Sequence, residues 1–294
     1  MASYSIRDIE KLSGIKAHTL RIWEKRFNLM EPKRTLTNIR HYDDEDLKKI
    51  MNIAFLNRKG IKISHIALLD NEEISKQISE LSKKQIDTES LIDNLIISMV
   101  EFDERRFEKI VNTSVMQVGF EETILHTIYP FFEKIGILWQ TGAIKPAQEH
   151  FVSNLIRQKL IIAIDGAIEP ENFQPKRFIL FLPEGELHEI GLLFYHYLIK
   201  KTGHKAIYLG QSVPFNDLDS IMQIRKCDAL VTSFSSNITG IDISDYLKSL
   251  SASFPQLLIC FSVFEDGLNE SELPSNIFRI NNALHFRQIL KQIF

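Results

Sequence analysis

The chain has 294 residues, 44% hydrophobic and 25% charged, the balance of an ordinary globular protein with length for about two domains. Two cysteines, Cys227 and Cys260, exclude a disulfide framework, and no apolar run reaches the roughly 18 residues of a membrane span. The formal net charge of −3 speaks against a nucleic-acid partner only as an average, because residues 1–65 hold 14 Lys/Arg against 8 Asp/Glu, a net of +6, and the rest of the chain is net −9.

A small basic module joined to a larger acidic body is the asymmetry expected when one part meets a polyanion. Chance and solvated helix faces explain the same numbers equally well. In the basic module, Ser5-Ile-Arg-Asp8 has capping-box spacing, with Asp in place of Glu, and predicts a short helix ending near Ser13-Gly14. After a tight turn, a second helix is expected from Ala17 to Arg26. Two short helices across a Gly-containing turn make a helix-turn-helix, whose second helix enters the major groove of DNA. His18, Thr19, Arg21, Lys25 and Arg26 supply donors on that segment. Pro32-Lys-Arg34 and Asn38-Ile-Arg40-His-Tyr42 form a basic loop suited to gripping phosphates. Helix–Gly–helix spacing alone also describes folds that bind nothing.

The run Thr19-Leu-Arg-Ile-Trp-Glu-Lys-Arg26, then Pro32-x-Arg34, Arg40-x-Tyr42 and Asp46, resembles the winged-helix DNA-binding domain of the MerR family over about the first 70 residues. The resemblance implies that the Arg21 helix reads the major groove while Arg34, Arg40 and Tyr42 anchor the wing on phosphates. Asn38 stands where a wing Gly is usual, and Asn tolerates the left-handed conformation. Trp23 and Tyr42 also read as core aromatics.

Residues 71–90 are polar without an aromatic and read as a linker or an exposed helix. From Leu91 to Ala167 helical periods predict a bundle of about four helices, with breaks near Gly119, Pro130 and Thr141–Pro146. Beyond Pro170 short apolar runs (Arg177–Leu182, Ala206–Gly210, Ala229–Phe234, Leu257–Ser262 and Ile277–Ile280) alternate with amphipathic stretches (His188–Lys201, Asn216–Arg225, Ile241–Leu250 and Ala283–Phe294). That alternation predicts parallel βαβ units and a doubly wound sheet, with ligands at the carboxyl ends of its strands. The expected architecture is multidomain α and α/β: a winged helix-turn-helix over residues 1–72, a linker over 73–90, a helical bundle over 91–170, and a Rossmann-like, flavodoxin-like parallel sheet over 171–294.

The segment Leu182-Pro-Glu-Gly-Glu186-Leu-His188-Glu-Ile-Gly191 leaves the first strand of that sheet. A neutral His there can ligate a metal through one ring nitrogen if a carboxylate such as Glu186 holds the other, and Gly191 would let a cofactor or the next element come close. Local spacing alone favours a helix-capping His beside a surface Glu. Leu209–Pro214, ending the second strand, suits a ligand rim but also a plain βα turn.

The pattern Glu-x-His-x-x-Gly resembles the cobalamin-binding Rossmann-like domain, where the His is the lower axial cobalt ligand. Trp139, nine residues, then Glu149-His150 is similar to the helical cap of light-sensing MerR regulators of the CarH and LitR type. The resemblance implies adenosylcobalamin, with His188 on the lower face and Trp139, Glu149 and His150 over the adenosyl group. Trp139 as a core aromatic and Glu149-His150 as plain helix surface remain open. Two departures are visible. Ser233-Phe-Ser235 keeps only the Ser of a Ser-x-Leu pattern, and Cys260-Phe-Ser-Val263 stands where a Gly-Gly pair makes room for the nucleotide tail. Gln140 follows Trp139 where some photoreceptors carry a second His, and Gln is a poor cobalt ligand.

Zinc spacing, a P-loop and a nucleophile elbow are absent from the sequence. The two resemblances together imply a cytoplasmic transcriptional regulator, not an enzyme. It would bind double-stranded DNA at a near-palindromic operator as a homo-oligomer, dimer or tetramer, away from membranes, and sense adenosylcobalamin and light. The rivals are a cofactor-independent repressor with a degenerate cobalamin domain, and a corrinoid-carrier enzyme module lacking a catalytic barrel of roughly 250 residues.

Overall fold

The computed structural model describes residues 4–30, 32–34, 38–82, 88–140, 143–167, 170, 174–235, 242–263, 268 and 270–292. It divides into two compact units, Met1–Leu155 and Ile156–Phe294.

The first unit begins with the basic head. The capping box forms as expected: Ser5 N–H donates to Asp8 Oδ2 at 2.8 Å and Asp8 N–H to Ser5 Oγ at 3.3 Å, opening α1 (Ile6–Ser13). Gly14 ends that helix at φ 72, the left-handed conformation that glycine adopts without cost. Glu10 then accepts the Ala17 N–H at 3.1 Å and helps to start α2 (Ala17–Phe27). Strands β1 (Tyr4–Ser5), β2 (Lys33–Arg34) and β3 (Arg40–Tyr42) form an antiparallel sheet in the order β1-β3-β2. Asn38 takes φ 63, so the left-handed position expected of the wing is present, while residues 35–37 between the wing strands lie outside the described residues. A second capping box, Asp43 with Asp46, starts α3 (Asp44–Arg58). The short α4 (Ile63–Ile66) and α5 (Asn71–Ser82) follow, and of the two readings of residues 71–90 the first part takes the helical one, with Ile74 buried. Residues 83–87 of that expected linker lie outside the described residues.

The bundle comprises α6 (Thr88–Glu101), α7 (Glu104–Val118), a rod made of α8 (Phe120–Thr123), a π turn (Ile124–Ile128) and α9 (Tyr129–Gln140), and then α10 (Pro146–Asp165). One expected boundary needs correction, and one break goes unforeseen. Pro130 does not break the chain's helical course. A proline lacks an N–H and its ring crowds the carbonyl four residues back. The wide π turn immediately before it, closed by Tyr129 N–H to Ile124 O, carries the rod through that position. The break missed by the periodicity is at Phe102, which takes φ 54 between α6 and α7. Gly119 does interrupt the course, and α10 starts with proline at its first position, where no N–H is needed. Residues 141–142 of the third expected break lie outside the described residues.

The second unit carries five parallel strands, β4 (Arg177–Pro183), β5 (Lys205–Val213), β6 (Ala229–Phe234), β7 (Leu258–Val263) and β8 (Ile277–Arg279), in the order β5-β4-β6-β7-β8. Helices α11 (Ile190–Lys201), α12 (Phe215–Ile224), α13 (Ile243–Ser253) and α14 (Ala283–Gln292) alternate with them. Phe178 to Pro183 of β4 are all buried, which is why this strand reads as one apolar run rather than an alternation. Ile179, Phe181, Leu230, Phe234, Ile259 and Phe261 pack with Leu218 of α12 and Leu247 of α13 in one core layer. On α11 and α14, Tyr195 meets Phe286 with ring centroids 4.8 Å apart. The strand order places the topological switch point between β4 and β6, where such sheets bind ligands. β5 runs three residues past the apolar run that predicts it, through bulges and through Gly210 at φ 88 and Ser212 at φ 52, so Gln211–Val213 is strand rather than a turn.

Candidate functional site

Two sites stand out, one in each unit. In the head, His18, Arg21, Lys25 and Arg26 are exposed on α2 and Thr19 is half-buried, while Trp23 is turned into the core. Arg21, Lys25, Arg34 and Arg40 line a concavity of about 610 Å³ between α2 and the wing. Glu24 sits among them and accepts Arg40 Nε at 2.8 Å and Nη2 at 3.1 Å, with Arg34 Nη2 at 3.5 Å. Arg34 also donates to Asn38 Oδ1 at 2.8 Å. One carboxylate thus sets the direction of both wing guanidiniums. Tyr42, expected among the phosphate contacts, is 1% exposed and lies in the core of the head. It pairs with Tyr4 across β1 and β3, because the position facing inward in this register is the one a large aromatic fills.

In the second unit, β4 delivers the turn Glu184–Glu189 to the switch point. Glu186 is 1% exposed and His188 has 74% of its side chain exposed, with His188 Nδ1 to Glu186 Oε1 at 2.7 Å. The same oxygen accepts the N–H groups of Leu187 (2.8 Å) and His188 (2.9 Å). The other oxygen accepts Ser235 N–H, at the end of β6, at 2.6 Å. Burial raises the Glu186 pKa, but the bonds from His188 and Ser235 outweigh it and hold the carboxyl down to about 2. An imidazole with one nitrogen tied to a buried, ionised carboxylate is the donor arrangement of a metal-ligating histidine. No group of three or more His, Cys, Asp or Glu converges to hold a bare ion among the described residues. Gly191 is the second residue of α11, and a Cβ there would meet no atom within 4 Å, so no neighbouring element crowds it. Ser233 accepts a bond from Ser262 Oγ at 2.9 Å, joining β6 to β7 at the place where the Gly-Gly pair is missing.

Trp139, 48% exposed at the end of α9, and Glu149 and His150, near the start of α10, flank one connection in the first unit. Glu149 accepts the Ser153 hydroxyl, and His150 Nε2 lies 3.6 Å from its other oxygen. The side chain of Gln140 lies outside the described residues.

Sequence reasoning missed Glu24 and the partners of the His188 turn. Glu24 had a signal, as the lone acid within the basic run Thr19–Arg26. Glu189 had none, since its partners Arg157 and Tyr208 are 32 and 19 residues away.

Residues 4–73 match the family described as MerR HTH family regulatory protein, and residues 91–164 match the B12 binding domain. The chain is 24% identical over 260 residues, 86% of each chain, to the HTH-type transcriptional repressor CarH of Myxococcus xanthus. It is 27% identical to the HTH-type transcriptional repressor CarA of the same organism, over 78% of this chain and 75% of that one. Among solved structures it is similar to the Methanosarcina barkeri monomethylamine corrinoid protein, with TM-score 0.56 and 13% identity over 71% of this chain and 100% of that one, a likeness of fold. The relatives that span most of the chain are repressors rather than enzymes, and the head and the helical bundle each match a family with a stated role. The chain is a DNA-binding regulator of transcription whose head matches the MerR HTH family and whose helical bundle matches the B12 binding domain.

Proposed function

We propose that the chain senses adenosylcobalamin, with His188 as the lower axial ligand, and couples that ligand to its oligomeric state on DNA. The Glu186–His188 pair at the switch point carries this reading. Glu186 accepts the proton of Nδ1, which fixes the tautomer that keeps a lone pair on Nε2, the ring nitrogen opposite. Ser235 N–H holds Glu186 from the far side of the switch point, so the ring direction is set before any ligand arrives. When bound, the group supplies a cobalt–carbon bond that visible light breaks. Trp139, Glu149 and His150 are assigned to the adenosyl face, supported by their spacing and by Trp139 being presented rather than packed away. Gly191 and Ser233 are assigned to the cofactor surface as well.

On DNA, His18, Thr19, Arg21, Lys25 and Arg26 address the major groove, and Arg34 and Arg40 take phosphates, with Tyr42 supporting the wing from beneath. One head reads one half-site, so this reading calls for a near-palindromic operator bound by a dimer or tetramer, acting in the cytoplasm. A ligand shifts such an assembly only by binding one arrangement better than another. The test is a DNA mobility shift with adenosylcobalamin in darkness and then under green light. A band lost on illumination supports the reading, and indifference to cofactor and light overturns it.

The Ser262–Ser233 bond favours a second reading, a repressor whose sheet domain serves assembly without cofactor. His188→Ala separates the two: unchanged DNA binding with and without cobalamin supports the second.

A further inference from the structure

The turn that carries His188 is anchored residue by residue. Gly185 N–H donates to Ser212 Oγ at 3.1 Å, Ser212 N–H to Glu186 O at 3.1 Å, and Gln211 Nε2 to Leu187 O at 2.6 Å. Past His188, Glu189 is 4% exposed and accepts Tyr208 Oη, from β5, at 2.6 Å, together with Arg157 Nε from α10. Glu189 stands at the N-cap of α11, where a short acid normally turns back onto its own helix's N–H groups. Its side chain makes no such bond. A carboxylate buried away from its helix, at the cost of its hydration, is retained for the partners it holds.

We propose that Glu189 is a positioning residue for His188, locking the backbone after the imidazole to Tyr208 and Arg157 so that the ring stands ready for an axial bond. Glu186 holds the ring, and Glu189 holds the chain that carries it. This inference rests on the reading of His188 as the axial ligand.

The full chain is compared as wild type, Glu189→Gln, Arg157→Met and His188→Ala. Two readouts are taken: amide hydrogen exchange of residues 184–190 without ligand, and titration with hydroxocobalamin followed by absorbance. Glu189→Gln is expected to speed exchange in that segment alone and to weaken hydroxocobalamin about 10- to 100-fold, the usual loss for a supporting residue of a metal ligand. It should also lower the fraction of bound corrinoid with the imidazole-ligated spectrum, which a loss of folded protein would not change. Arg157→Met, at an exposed side chain, should move both readouts in the same direction and less. Wild-type exchange and affinity in Glu189→Gln overturn the proposal. A wild-type chain that takes up no hydroxocobalamin, or a His188→Ala chain with the wild-type spectrum, overturns the His188 reading instead, and the exchange comparison still decides the anchor.

Discussion

Arg58, at the end of α3, donates to the carboxylate of Asp93, which is 2% exposed on α6, and Lys134 of α9 reaches the other carboxylate oxygen at 3.2 Å. Arg58 also donates to Ser13 O at 3.2 Å, so one guanidinium ties the end of α1 to the bundle. Lys48 and Glu101 pair at the opposite ends of α3 and α6. The reading head is thereby joined to the helical bundle by apolar packing with a charged pair at each end. Burial outweighs the two cations and pushes the Asp93 pKa up. The pair therefore adds little net stability, while loss of one partner strands a buried charge.

Removing the cation should accordingly hurt more than removing the acid. Arg58→Met leaves Asp93 buried with Lys134 alone and is expected to cost about 2–3 kcal/mol, whereas Asp93→Leu, whose former partners reach water, should cost about 1 kcal/mol or less. Urea unfolding of the full chain checks the order. The opposite order would mean that the pair is held chiefly for stability.

At the head, Arg40→Ala should reduce the slope of log affinity against log salt by about 0.9, one phosphate's worth. Glu24→Gln leaves the phosphate ligands in place but removes the negative charge that pairs with both guanidiniums. It should raise binding to random DNA and narrow the ratio of specific to non-specific affinity by about tenfold. Filter binding over a salt series measures both, and an unchanged ratio in Glu24→Gln would show that the wing is aimed without it.

His196 stacks on Tyr208 with centroids 5.5 Å apart, and burial first, then Lys200, lowers its pKa from 6.5 to about 4. Above the unfolded value both states are neutral and the residue makes no difference. As pH falls from about 6.5 to about 4 the unfolded chain takes a proton that the folded chain refuses. Stability should therefore fall through that window, by about 3 kcal/mol at most, and level off below it. His196→Phe keeps the stack and should flatten the dependence, read as urea midpoints at several pH values.

The Ser262–Ser233 bond fills the β6–β7 edge at the position where the cobalamin-domain resemblance calls for bare glycine backbone. Wild-type protein is expected to bind cobinamide, which lacks the tail, as tightly as hydroxocobalamin. Ser262→Gly should shift the preference toward the tailed corrinoid. Parallel absorbance titrations measure the ratio, and a strong wild-type preference for hydroxocobalamin would show that the slot is open.

Much of this protein follows from neighbours in sequence. The capping box of Ser5 and Asp8, the left-handed Gly14 and Asn38, and the five strands are legible because short-range sterics and side-chain period set them. The same local reasoning fails at Pro130, because it does not foresee that a π turn would make room for the ring. It also cannot tell a buried tyrosine at position 42 from a phosphate contact, since both fit one exposed-or-inward alternation until the register with β1 is known.

The sequence alone determined a basic reading head, an acidic body and a His with a carboxylate two residues before it. Only the tertiary structure decided what that pair stands on. Strand order β5-β4-β6 brings Ser235, 49 residues from Glu186, onto its second oxygen and Tyr208 onto Glu189, which Arg157 of α10 also reaches. A carboxylate's partners across a sheet are chosen by which strands are neighbours, and that choice is made by the packing of the whole core rather than by the residues on either side.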